Sequence, residues 1–215
     1  MDLAMPTLPI LRPWSELRID VQLPAWAIDA ELKRLHSRMQ REGDPLSGLP
    51  GADIQLPGFA FRYRVADGEH YVYAEDLAAR RLAGYTVFNR LVELDRRADR
   101  HLRAGHSKYS PAYQRRGLAS AVYGWALARG MCLITGARQS AGAHALWRSL
   151  ARRHELGFVE LKDKRLTWLG EPPGPARLED FHVRMVLLGA QWSEDDFIER
   201  TGARRMDAEL AFPAQ

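Results

Sequence analysis

The sequence predicts an α/β fold with a central mixed, mostly antiparallel twisted sheet and helices on both faces, and three stretches carry that expectation. FRYRVADGEHYVYAED sets two alternating, aromatic-rich runs around Asp67-Gly68, a pair suited to a tight two-residue hairpin turn. MCLITGA is a short continuous apolar run, the pattern of a strand buried on both faces. The order strand, helix, strand, helix after residue 100 then calls for at least one parallel pairing in a mixed sheet.

Taken in order, residues 17–23 (LRIDVQL) alternate apolar and polar and predict a strand. Pro24 opens a helix with Ala27, Ile28, Leu32, Leu35 and Met39 on one face, and Gly43-Asp44-Pro45 stops it. Residues 45–58, rich in Gly and Pro, predict a mobile loop. Residues 1–58 thus read as an N-terminal extension of strand, helix and loop packed on a main domain, 59–215. After the hairpin, RLAGYTVFNRL and HLRAGHSKYS predict strands separated by a charged stretch. A loop and helix fill 114–130, with Leu118, Val122, Trp125 and Leu127 as apolar positions and Gly130 as the stop. Beyond MCLITGA, 140–154 predict a second helix, 158–168 a strand or hairpin, 170–175 a proline-rich loop and 181–188 a strand. Ser193 and Asp196 form a capping box for a short last helix.

Composition narrows the class. A chain of 215 residues, 46% hydrophobic and 27% charged, buries a core without a metal or disulfide staple. Its single cysteine, Cys132, sits in an apolar run and reads as a core residue. The prolines and missing basic start of MDLAMPTLPILRPW argue against a signal peptide, and no apolar run approaches the roughly 20 residues that cross a bilayer. A cytoplasmic protein without a membrane partner is the expectation. The net charge is +4, mostly from arginine, but acidic residues are interleaved as in Asp95-Arg96-Arg97-Ala98-Asp99-Arg100, so nucleic acid is a possible partner and not the favoured one. The seven histidines are scattered without ligand spacing, and no metal is implied. Oligomeric state is not encoded in any feature of the sequence.

The chemistry concentrates in YSPAYQRRGLASAVYGWALARG. A helix start has unpaired N–H groups and a partial positive charge, so it attracts anions. Gly117 and Ala119 are small enough for a phosphate to approach the backbone, Arg115 and Arg116 add charge, and Pro111 stiffens the entry. With Tyr109 closing the preceding strand, Pro111, and Gln114, Arg115, Arg116, Gly117, Leu118 and Ala119 opening the helix, the segment resembles the GCN5-related N-acetyltransferase (GNAT) family. Ala74-Glu75-Asp76 and Leu82-Ala83-Gly84-Tyr85 look like the family's paired strands. Ser140, Ala143, Leu146 and Trp147 follow the spacing of its Asn-x-x-Ala-x-x-Leu-Tyr helix, and Gly157-Phe158 its closing pair. The resemblance covers roughly 70–190.

The resemblance implies an acyl-CoA N-acyltransferase-like fold over 59–215 that binds acetyl-coenzyme A as cosubstrate and transfers acetyl to an amine by direct attack in a ternary complex. The acceptor stays open among a protein lysine or N-terminus, a small amine and an aminoacyl-tRNA. The implied cofactor contacts are Tyr109, Gln114, Arg115, Arg116, Gly117, Leu118, Ala119, Ser140, Ala143 and Trp147. A backbone N–H near Tyr109 would be the oxyanion donor. His106 is the first candidate base, Glu75 the second and Glu93 the third, with His144 a structural or exposed residue. Two departures stand out: Ser140 replaces the asparagine, and Trp147 replaces the tyrosine placed to protonate the leaving thiolate. An indole N–H is no acid near neutral pH, so Trp147 reads first as packing. The alternatives are a weak or inactive CoA-binding or interaction module, and a basic nucleic-acid-binding domain.

Overall fold

A computed structural model describes residues 24–206 other than 138, 171, 172 and 174–181. The strand expected at 17–23 and most of the proline-rich loop fall outside the described residues. The hairpin forms as its turn requires. β1 (Phe59–Ala66) and β2 (Glu69–Asp76) pair from Phe59 opposite Asp76 to Ala66 opposite Glu69. Asp67 and Gly68 both take positive φ, 54° and 78°, the turn hand that matches strand twist. β3 (Arg81–Asn89) and β4 (Leu102–Tyr109) continue the antiparallel half.

The expected crossover then appears. α3 (Leu118–Ala128) carries the chain from the end of β4 back to β5 (Cys132–Ile134), which pairs parallel with β4. Before it, α1 (Ala25–Met39) follows Pro24, and the short α2 (Arg96–Asp99) lies inside the stretch read only as charged. Beyond it come α4 (Ala141–Leu150), the hairpin β6 (Leu156–Lys162) and β7 (Arg165–Gly170), β8 (Val183–Leu187), α5 (Glu194–Thr201) and β9 (Arg204–Arg205). Spatial order is β1-β2-β3-β4-β5-β8-β6-β7-β9, parallel only at β4/β5 and β7/β9 among the described strands.

Both faces are covered. α3 and α4 bury Val122, Leu127, Trp147 and Leu150 against Val72, Phe88 and Leu133. On the other face α1 sets Leu32 and Met39 against Tyr73 and Leu82, while α5 sets Phe197 against Ile134, Trp168 and Val186. The loop expected to be mobile is irregular yet anchored: Leu46 and Ile54 are buried, and Ala52 and Tyr63 bond across to Phe61 and Pro50. The capping box forms, with the Ser193 hydroxyl accepting from the Asp196 N–H at 3.1 Å. Cys132 is a fully buried thiol, pushed up to about 12 by that burial. No helix of the described residues is long and apolar enough to cross a membrane.

Candidate active site

The site starts from a seam in the sheet. β4 and β5 pair only from Leu102 opposite Cys132 to Ala104 opposite Ile134, where β5 ends. β4 runs on to Tyr109 with β3 on one side and, among the described residues, no strand on the other. The Ser110 N–H bonds to the Ala83 carbonyl at 3.1 Å. By the two-residue alternation of an antiparallel ladder, Lys108 and His106 also bond toward β3, so Ser107 and Tyr109 turn their N–H groups into the seam. The Gln114 amide confirms the direction, donating to the Tyr109 carbonyl at 3.3 Å.

Beside the seam, the chain turns through a short 3₁₀ segment (Pro111–Tyr113) into α3. Arg115 and Gly117 take positive φ, 60° and 83°, and Arg116 between them does not. Alternation of this kind turns successive N–H groups inward, a backbone nest for an anion. It opens directly onto the start of α3, where Gly117 is the N-cap and supplies no side chain to the orphan N–H groups. A Cβ placed on Gly117 would meet nothing within 4 Å, so the approach is open. Backbone arranged in this way could hold a pyrophosphate.

The expected contacts divide. Gly117, Ala119 and the N–H of Leu118 form the cradle; the Leu118 side chain itself is buried. Arg115 is exposed on the loop, whereas Arg116 lies over the rings of Phe59 and Tyr113 at 5.0 and 5.2 Å, at the rim. Gln114 braces the end of β4 as described. The Ser140 hydroxyl caps α4 by accepting from the Ala143 N–H at 3.2 Å. Trp147 is 3% exposed in the core beneath α3 and α4, the packing role read from the sequence. Tyr109 presents its backbone to the seam while its side chain is buried. Its hydroxyl is buried 3.0 Å from Thr86 Oγ1, which is 2.8 Å from Ser107 Oγ, and burial raises its pKa strongly. Tyr123 on α3 joins this hydroxyl group through Ser107, and burial pushes it up to about 12.

The candidate bases also separate. His106 is exposed on the α1 side of the sheet, within the seam-lining half of β4. Glu75 lies two strands away, held by Arg62 Nε at 3.2 Å. Glu93 follows β3 at the opposite end, where Arg184 reaches it at 3.4 Å, far from Tyr109. His144 is exposed on α4. The sequence reading missed Glu31. From α1 it accepts the Tyr85 hydroxyl at 2.5 Å and Lys108 Nζ at 3.0 Å, next to His106 on the same face. Burial alone would raise its pKa, but these two donors outweigh that and hold it below the usual carboxylate range. Nothing in the local sequence around Glu31 signals the contact, which spans 77 positions to Lys108.

No family model matches the chain, and no curated protein sequence does. Among solved structures it is similar to two chimeras of spermidine N-acetyltransferase SpeG from Vibrio cholerae and hSSAT, at 17% identity and TM-scores of 0.34 and 0.33, over 62% of this chain and 72% and 70% of theirs. It is also similar to a GNAT superfamily phosphinothricin acetyltransferase (Pat) from Sinorhizobium meliloti in complex with AcCoA, at 23% identity and a TM-score of 0.34, over 66% of this chain and 68% of that one. Likeness at this level adds no weight to the geometry, which rests on the seam, the nest and the open start of α3.

Proposed function

We infer that the chain is an acetyl-coenzyme A-dependent N-acetyltransferase acting on an amine. One observation carries this: a strand edge open inside the sheet, with inward N–H groups at Ser107 and Tyr109, lies beside an uncapped helix start with a backbone nest. The nest and Arg115 hold a pyrophosphate, and an extended arm bearing a thioester then runs into the seam. There a free N–H of Tyr109 or Ser107 meets the thioester oxygen, where negative charge grows during attack.

The acceptor enters from the α1 face. Glu31 favours a cationic amine but, held low by Tyr85 and Lys108, is a weak proton acceptor. His106 is the base that takes the ammonium proton, so that neutral nitrogen attacks and the carbon–sulfur bond breaks; the proton the new amide nitrogen sheds balances the leaving thiolate as the free thiol. Trp147 in the core favours a second reading, a CoA-binding module without turnover, because no tyrosine stands at that position to protonate the thiolate.

Calorimetry with acetyl-coenzyme A and thiol release over a panel of amines test the assignment. Binding with amine-dependent release supports the enzyme; binding without release over the panel supports the module; no binding overturns both. In the enzyme, His106→Gln lowers turnover and flattens the acid limb of the pH–rate profile. An unchanged profile removes His106 from the mechanism.

A further inference from the structure

At the far end of α3 from the nest is a cavity of about 210 Å³ lined by His70, Arg100, His101, Arg103, Arg129, Gly130, Met131 and Trp192. Three guanidinium groups and two imidazoles converge there, and no lining residue among those described is acidic. The nearest carboxylates are already committed. Asp99 is bound by Arg90 at 2.5 and 2.8 Å and by the Leu91 N–H, and Glu69 accepts the Tyr71 hydroxyl at 2.8 Å.

Arg103 is the fixed member. Its Nη1 donates to the carbonyls of Asp99 and Leu102, at 2.5 and 2.7 Å, which pins the guanidinium plane. Its Nε is buried with no hydrogen-bond partner among the described residues. A half-buried cation in such a setting is under-compensated, and an anion beside it supplies what the fold does not. His70 is held through Nδ1, 2.6 Å from the Tyr63 hydroxyl, and one wall is the Trp192 indole, anchored by Nε1 to the Gly130 carbonyl at 2.9 Å. His101 stands edge-on to that ring with centroids 5.3 Å apart.

We propose that this cavity binds a phosphate dianion, either inorganic phosphate or the phosphoryl end of a small phosphomonoester. Guanidinium forks match phosphate oxygens in pairs, and several arginines converging without carboxylates suit a doubly charged group better than a single carboxylate. The cleft is about 210 Å³ and open to solvent, so it admits a phosphate while the rest of a phosphomonoester extends outward past Trp192. The site is separate from the nest, since the 11 residues of α3 span about 16 Å between them at about 1.5 Å each.

The test is calorimetry and thermal melting with inorganic phosphate and with ribose 5-phosphate, against chloride at matched ionic strength. The expected result is saturable binding of phosphate that the double variant Arg100→Gln/Arg129→Gln weakens at least tenfold. Both residues are exposed, so the fold survives the change. Arg103→Gln weakens binding further. Tighter binding of ribose 5-phosphate than of phosphate identifies a phosphomonoester as the source; equal binding identifies the free ion. Acetyl-coenzyme A affinity stays unchanged in the double variant, and phosphate affinity stays unchanged in Gly117→Asp. Phosphate binding no stronger than that of chloride, undiminished in the double variant, or lost in Gly117→Asp overturns the proposal.

Discussion

The two ends of α3 solve one electrostatic problem in opposite ways. At its start, backbone suffices: Arg115 and Gly117 take positive φ, the first N–H groups are uncapped, and the helix dipole favours an anion. At its end the dipole opposes one. The carbonyls of Trp125, Ala126 and Leu127 are also taken, by the N–H groups of Arg129, Gly130, Met131 and Ala190. Any anion held there must be held by side chains, and the chain brings arginines from three places to do so. The first end relies on backbone with added charge from Arg115; the second depends almost wholly on side chains.

Removing packing from the core shared by α3 and α4 gives the largest effect. Trp147→Ala leaves a void beneath α3 and α4 and costs about 3–5 kcal/mol, a fall in Tm of about 10 °C. Acetyl-coenzyme A affinity should fall in the protein that remains folded, while phosphate affinity holds. Equal losses at both sites would show that the two ends are one coupled unit.

Next comes Gly189, which ties down the second end. A Cβ there would lie 2.4 Å from the Gly130 carbonyl carbon, backbone that cannot swing aside. Gly189→Ala should cost about 1–3 kcal/mol as an overpacking change and shift phosphate binding more than acetyl-coenzyme A binding. Denaturant unfolding and calorimetry on one preparation read both.

Gly117→Asp places a carboxylate in the nest and should weaken acetyl-coenzyme A tenfold or more, about 1.4 kcal/mol. Gly117→Asn separates charge from conformation, because asparagine tolerates positive φ; it should keep most of the affinity. If both variants bind as the parent does, the backbone account of this end fails.

The smallest effect is the response to mild acid. Burial, helped by Arg103 and Arg129, depresses His70; burial, helped by Arg200 and Arg100, depresses His101; burial and Arg153 depress His154. A histidine that resists protonation when folded binds fewer protons than the unfolded chain, so stability is full above the ordinary value of 6.5 and declines as pH falls below it. Asp44, held low by Arg38, and Asp196, held low by Ser193, lose their contributions only below 3.8. Urea melts at pH 7.5 and 5.5 should therefore show lower stability at 5.5. A flat profile would detach the imidazoles from this end of α3.

The contrast also explains what was legible in the sequence. Asp67-Gly68, Gly117, Gly130 and the Ser193–Asp196 box act on neighbours within a few residues, so their turns and caps were readable and formed as expected. The burial of Trp147 was readable because it repeats one turn after Ala143. α2 was hidden because its buried residues, Ala98 and Asp99, sit in a charged run, and Asp99 is held by Arg90 and the Leu91 N–H, nine and eight positions away. His106 was legible as a strand residue, but which face it takes follows from its pairing with Val87. Glu31 and the Arg103 cavity depend on contacts between distant segments and left no local pattern.

Sheets normally hide their unpaired margins at the outside, where other strands can add and start aggregation. This molecule carries such a margin in its middle, along β4 past Ala104. α3 covers part of it on one face, with Tyr123 against Gly105, and a slender, extended ligand would lie along it lengthwise. The occupant is therefore also a structural part: whatever fills the gap closes the sheet, and the protein purified with it should withstand heating and storage with less precipitation than the same chain without it.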